Sequence, residues 1–263
     1  MIGMSERTGG RIVLALAVAF AAVALVPTYA LDDLDTDPRS GEREFDFAGP
    51  RLAVIVSSGS QVGLEPGRGT VLTVVRHLTG TAAKDGHAEW RLEGDTLRLS
   101  AKCSGVMINC SGRFVVRVPP GVDTSVDAAS DIDVTAKGMR HALRITTRRG
   151  DIRLEGTAGA LWLSSRSGRI DVLDAASPTV DVRNRNAPIT LGFAVAPRSV
   201  TAASEVGDIT VVLPRTDAEY GIDIKARVRE VDGIALSESP PHARHISART
   251  RDGAVRVQRL GDR

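Results

Sequence analysis

Residues 143–154, Leu143-Arg144-Ile145-Thr146-Thr147-Arg148-Arg149-Gly150-Asp151-Ile152-Arg153-Leu154, hold two short alternating apolar runs joined by a polar turn. Period-two alternation marks half-buried strands, with Leu143 and Ile145 on one side and Ile152 and Leu154 on the matching side. The pattern returns as LWLSSRSGRIDV (161–172), VDVRNRNAPITL (180–191), VTAASEVGDITV (200–211) and ISARTRDGAVRV (246–257). In all five copies the central residue of the first strand lies seven positions before the start of the second. Extended to weaker copies, the first strands centre on Val126, Ile145, Leu163, Val182, Ala202, Ile224 and Ala248. The second strands begin at Ile132, Ile152, Ile170, Ile189, Ile209, Ile234 and Val255.

One such unit cannot cover its own apolar face, whereas stacked units bury a continuous interior. The expected fold is therefore all-β, a β-solenoid or β-helix-like stack of short strands over residues 123–263, with neighbouring units about 4.8 Å apart. Leu161, Leu163, Ile170, Val172, Val180, Val182, Ile189 and Leu191 join the residues above as its interior. At roughly 2 kcal/mol per buried aliphatic side chain such rows can hold a narrow core. Two positions after the first-strand centre, Thr147, Ser165, Asn184, Ser204 and Thr250 form a polar row, expected to hydrogen-bond at a corner. Gly150, Gly168, Gly207 and Gly253 occupy one fixed turn position, Ala187 replacing glycine in one unit, which suggests positive φ there.

Residues 51–122 read as further strands continuous with the stack: 52–56, 71–75, 89–92, 96–99 and 114–118, the last ended by Pro119-Pro120-Gly121. Leu92-Glu93-Gly94-Asp95 is a turn signal. The acidic, Pro- and Gly-containing segment 32–50 reads as a linker. Ahead of it lies an uncharged apolar run, 12–31, preceded by Arg7 and Arg11 and followed by Asp32, Asp33, Asp35 and Asp37. A helix of that length spans roughly 30 Å of hydrocarbon. The charge asymmetry keeps residues 1–11 in the cytoplasm and the rest outside, with 12–31 a single-pass transmembrane anchor. Alternatively it is a signal peptide cut after Thr28-Tyr29-Ala30, giving a secreted chain. Cys103 and Cys110, with six residues between them, fit a disulfide in an oxidising compartment.

Recurring S-x-x-G-D-I-x-V/L units, the segment from the cysteines to Val118-Pro119-Pro120-Gly121-Val122, and Gly207-Asp208-Ile209-Thr210-Val211-Val212-Leu213-Pro214 together resemble a bacterial family labelled putative adhesin, of toastrack-like fold. The resemblance covers most of residues 51–263. It implies an extracytoplasmic β-solenoid-like domain, of a kind borne by membrane proteins linked to envelope-stress sensing and surface attachment. No catalytic residue comes with it. The chain departs from the pattern at Asn186-Ala187-Pro188-Ile189 and across Arg229 to His242.

A formal net charge of +2 argues against nucleic acid as a partner, and an aromatic content of 3% is low for a sugar-binding cleft. Arg148, Arg166 and Arg185, three residues after the first-strand centre, would stack into a basic stripe, followed by Glu205 and Arg251. Like charges that close need solvent, a counter-charge or a bridging anion. The stripe is a candidate contact for an anionic envelope polymer or an acidic partner; the competing reading is a solvated edge neutralised by Glu205, Asp171 and Asp181. Asp131, Asp151 and Asp208 read as structural turn residues, His242 and His245 as a surface loop, and Trp162 as outward-facing. No motif for catalysis, a metal or a cofactor is present. The expected function is non-enzymatic binding or sensing in the cell envelope. A polysaccharide-active β-helix enzyme and a regulator acting through a membrane protein partner are the alternatives.

Overall fold

The computed structural model describes residues 37–59, 61–104, 109–129, 131–234 and 244–261 of the 263. The expected transmembrane or signal segment, 12–31, lies outside them. The chain opens with β1 (Arg39–Asp46), β2 (Arg51–Ser58), β3 (Gln61–Pro66) and β4 (Val71–Thr79). After a single 3-10 turn come β5 (Ala88–Glu93), β6 (Thr96–Ala101) and β7 (Ser111–Val118). Strands then follow in pairs: β8 (Asp123–Ala128) and β9 (Asp133–Lys137), β10 (Leu143–Thr146) and β11 (Ile152–Glu155), β12 (Leu161–Ser164) and β13 (Ile170–Ala175). Next are β14 (Thr179–Arg183) and β15 (Ile189–Phe193), β16 (Ser199–Val206) and β17 (Ile209–Leu213), β18 (Tyr220–Lys225) and β19 (Val228–Asp232), β20 (Arg244–Asp252) and β21 (Ala254–Arg259).

The first member of each later pair belongs to a ten-stranded sheet, the second to an eleven-stranded sheet. Each pair is thus one layer that turns a corner between sheets, and successive layers join by parallel pairing. The register matches the repeat: Ile145 opposes Leu163, which opposes Val182, and Ile152, Ile170, Ile189, Ile209 and Val255 follow one another rung by rung. All of these are essentially solvent-free, as are Leu143, Leu154, Leu161, Val172, Val180 and Leu191. The polar row lies inside as well, at the corner, and bonds mainly to turn backbone. Thr147 Oγ1 donates to the Ile132 carbonyl, Asn184 Nδ2 to that of Gly168 (2.7 Å) and Thr250 Oγ1 to that of Gly207 (3.0 Å). Ser165 Oγ accepts from the Gly168 N–H (3.0 Å). A second internal pair, Thr157 and Ser177, occupies another turn.

Layer order departs from chain order at both ends. The β6/β7 layer lies outside β2/β3, which pairs directly with β8/β9, and β20/β21 sits between β16/β17 and β18/β19. The stretch expected to be irregular after Arg229 therefore begins inside an outermost strand, and Arg229, not Ile234, stands opposite Val255. Beyond β7 and β6 the stack ends in antiparallel strands, β4 with β1 on one sheet and β5 on the other. Charged residues on β1 and β5 cover these edges, as edge strands require. Residues 39–46, expected to be linker, are thus part of the fold, with Phe45 and Phe47 packed on the core.

Two further corrections concern register and glycine. Val134, not Ile132, opposes Ile152, so the register of that unit is shifted by two residues from the one the repeat suggested. Of the four fixed glycines only Gly207 has positive φ. What they share is contact between layers. A Cβ on Gly150 would lie 1.8 Å from the Ile132 carbonyl oxygen, on Gly168 1.9 Å from that of Gly150, on Gly207 2.6 Å from that of Ala187, and on Gly253 2.4 Å from that of Gly207. At these four glycines a side chain would meet the backbone of the adjacent turn, whereas the layer of Ala187 accommodates a Cβ at the equivalent place. Cys103 and Cys110 are joined in a disulfide, their Cα atoms 5.8 Å apart. Cys110 Sγ accepts from the Thr81 hydroxyl and the Ala82 N–H, both at 3.3 Å, which fastens the bridge to the 3-10 turn.

Candidate binding face

Parallel register turns single outward residues into rows. The turn backbones carrying the basic stripe are hydrogen-bonded to one another: Arg166 N to Arg148 O (3.2 Å), Asn186 N to Arg166 O (2.9 Å) and Val206 N to Arg185 O (2.7 Å). All three arginines are exposed. Arg185 pairs with Glu205 at 3.2 Å, and Arg251 reaches the same Glu205 oxygen at 3.6 Å. Arg148 and Arg166 form no ion pair among the described residues. Asp181, expected to neutralise the stripe, instead pairs with Arg183 of its own strand (3.3 Å).

The turn aspartates hold layers together, Asp151 and Asp208 as expected and Asp133 in place of Asp131. Asp133 Oδ1 accepts from the Asp151 N–H (2.9 Å), Asp151 Oδ1 from the Arg169 N–H (2.7 Å) and Asp208 Oδ1 from the Ala254 N–H (2.9 Å). Asp131, shifted out of this row with Ile132, forms a two-pronged pair with Arg149 at 2.6 Å. The hydrogen bond from Arg149 lowers the Asp131 carboxyl below its ordinary range, and the guanidinium is raised in turn. His245 lies in β20 and His242 lies outside the described residues; no group of three metal-ligating side chains occurs among the described residues.

The outer face of the ten-stranded sheet holds a feature that strand alternation alone did not reveal. One row crosses it as Thr96, Ala53, Ser125, Arg144, Trp162, Asp181. Ala53 and Ser125 are small, whereas Arg144 and Trp162 are large, so a groove of about 580 Å³ opens between them and Thr96. Trp162 faces outward as expected, half-buried, with the Arg144 guanidinium 5.1 Å from its ring centroid. Arg51, Asp95 and Asp123 also line the groove. A second hollow of about 460 Å³ lies on the other side of Trp162, lined by Thr146, Ser164, Asp181 and Arg183. Trp162 was visible in the sequence as an outward aromatic. The hollow was not, because it depends on the long-range pairing of β2 with β8.

No protein-family model and no curated protein matches the chain. Solved structures similar to it are described as putative adhesins. One from Parabacteroides merdae is 11% identical, with TM-score 0.46, over 85% of this chain and 97% of that one. One from Bacteroides fragilis is 14% identical, with TM-score 0.43, over 84% and 97%. A putative cell adhesion protein from Clostridium sporogenes is 10% identical, with TM-score 0.36, over 85% and 100%.

Proposed function

We propose that this chain is a non-enzymatic binding domain, tethered outside the cytoplasm by residues 12–31, that captures an anionic polymer of the cell envelope along Arg148, Arg166 and Arg185. The observation that carries the reading is the pair Arg148 and Arg166: two exposed arginines on adjacent, hydrogen-bonded turns, neither in an ion pair among the described residues. Charges spaced by about one strand separation match a chain that carries repeated acid groups better than a single small anion. Affinity then comes from several weak contacts engaged together and falls as salt rises. The aspartates on the turns are spent on backbone hydrogen bonds between layers, which speaks against an acid pair for glycosidic cleavage there. Binding of the full-length chain to immobilised polyphosphate tests the reading. Changing the three arginines to serine abolishes binding if the stripe is the contact; binding that survives the triple change refutes it.

A further inference from the structure

The Arg stripe explains an acid but not the hollow next to it. We infer that the groove between Thr96 and Trp162 is a sugar subsite, so that the bound polymer is an acidic polysaccharide. This rests on the stripe reading and adds the ring chemistry to it.

The groove spans three strand spacings, roughly 14 Å, from Thr96 over Ala53 and Ser125 to Arg144. Its volume of about 580 Å³ is that of a small-ligand site. One wall is the Arg144–Trp162 pair, the guanidinium lying over the indole ring. The rim carries Arg51, Asp95, Asp123 and Arg144, planar groups that make paired hydrogen bonds, with the hydroxyls of Thr96 and Ser125 beside them. A pyranose presents C–H groups on its faces and hydroxyls around its edge, which is the complement of this lining. Two arginines against two aspartates leave no net charge at the rim, so the groove favours hydroxyls over a bare anion. Past Trp162 lies the second hollow, lined by Ser164, Asp181 and Arg183. Arg166 follows Trp162 by four residues, just past the corner at Ser165, and Arg185 follows Arg183 by two.

The experiment compares polygalacturonate, dextran, polyphosphate and phosphatidylglycerol vesicles as probes of the full-length chain. Polygalacturonate is expected to bind most tightly. Trp162→Ala is expected to weaken polygalacturonate at least about tenfold and leave polyphosphate unchanged. Ser125→Tyr fills the groove without removing the indole and guards against a Trp162 variant that fails to fold; it is expected to show the same selectivity. If both groove variants bind polygalacturonate like the parent while the triple-arginine change abolishes binding, the sugar subsite is refuted and the stripe stands. If the groove variants lose polygalacturonate and the triple-arginine variant keeps it, the subsite stands and the stripe is refuted. Vesicle binding without polysaccharide binding, or no binding to any probe, overturns the subsite.

Discussion

Gly168→Ala would place a methyl carbon 1.9 Å from the Gly150 carbonyl oxygen and 2.5 Å from its carbon. Both are backbone atoms of the layer beneath, so no side chain can swing away, and the two turns must part. The parting stretches the bonds from Arg166 N and Ser167 N to Arg148 O, now 3.2 and 2.9 Å. It also disturbs the corner bond from Asn184 Nδ2 to Gly168 O. Ordinary overpacking costs about 1–3 kcal/mol, and a clash with fixed backbone belongs at or above the upper end. At about 2–4 °C per kcal/mol for a chain of this size, a loss of about 3 kcal/mol lowers the thermal midpoint by roughly 6–12 °C. Gly156→Ala is the control. Gly156 has φ of +61° with nothing within 4 Å of the added Cβ, so only left-handed strain of about 1–2 kcal/mol is expected. Circular dichroism melts of the two variants, side by side, decide it. A Gly168→Ala midpoint no lower than that of Gly156→Ala would show that the layers do not rest on a glycine column.

Further outcomes follow from the same geometry. Removing residues up to 50 uncovers β4 and strips Phe45 and Phe47 from the core; such a chain is expected to melt lower than the full one and to self-associate in light scattering. Asn184→Ala leaves the Gly168 carbonyl without its side-chain partner, while the Asn186 N–H keeps its bond to Arg166 O, at a cost of about 1–3 kcal/mol in denaturant unfolding, whereas Arg183→Ala nearby changes little. Reducing Cys103–Cys110 frees a short loop and costs about 2.5 kcal/mol, read as a lower melting midpoint in dithiothreitol that Cys103→Ser/Cys110→Ser reproduces. Asp131 is held below its ordinary value of 3.8 when folded, so the pair with Arg149 contributes above that pH and is lost as pH falls through the lowered value. The small stability difference between the parent and Asp131→Asn should vanish in that acid window; a difference that persists there contradicts the pairing.

Much of the architecture could be read from Leu143 to Leu154 because alternation tells which side chains face inward, and the five clear repeats kept a spacing of seven. Alternation carries no phase, however. Ile132 and Val134 both point inward, and only the pairing with Ile152 reveals which one starts the rung. It does not name neighbours either, so the placement of β20/β21 inside β18/β19 was invisible. Glycine was read as a dihedral requirement, whereas the demand at Gly150, Gly168 and Gly253 is contact with a neighbouring carbonyl; in one dimension the two look alike. Strand β1 escaped notice because its exposed edge pattern, Arg39 to Asp46, has little apolar alternation. The stripe was legible as three arginines at one repeat position. The groove required knowing that Ala53 and Ser125 stand beside Arg144.

The placement of β20/β21 has a consequence for synthesis. Ribosomes deliver β18 and β19 before the strands that will separate them from β16 and β17. For that interval the earlier pair meets an open parallel edge of suitable spacing, and its Ile222 and Ile224 offer the same alternation as the missing rung. Completing the molecule then means that late-arriving strands must claim a berth ahead of, or by evicting, an early lodger.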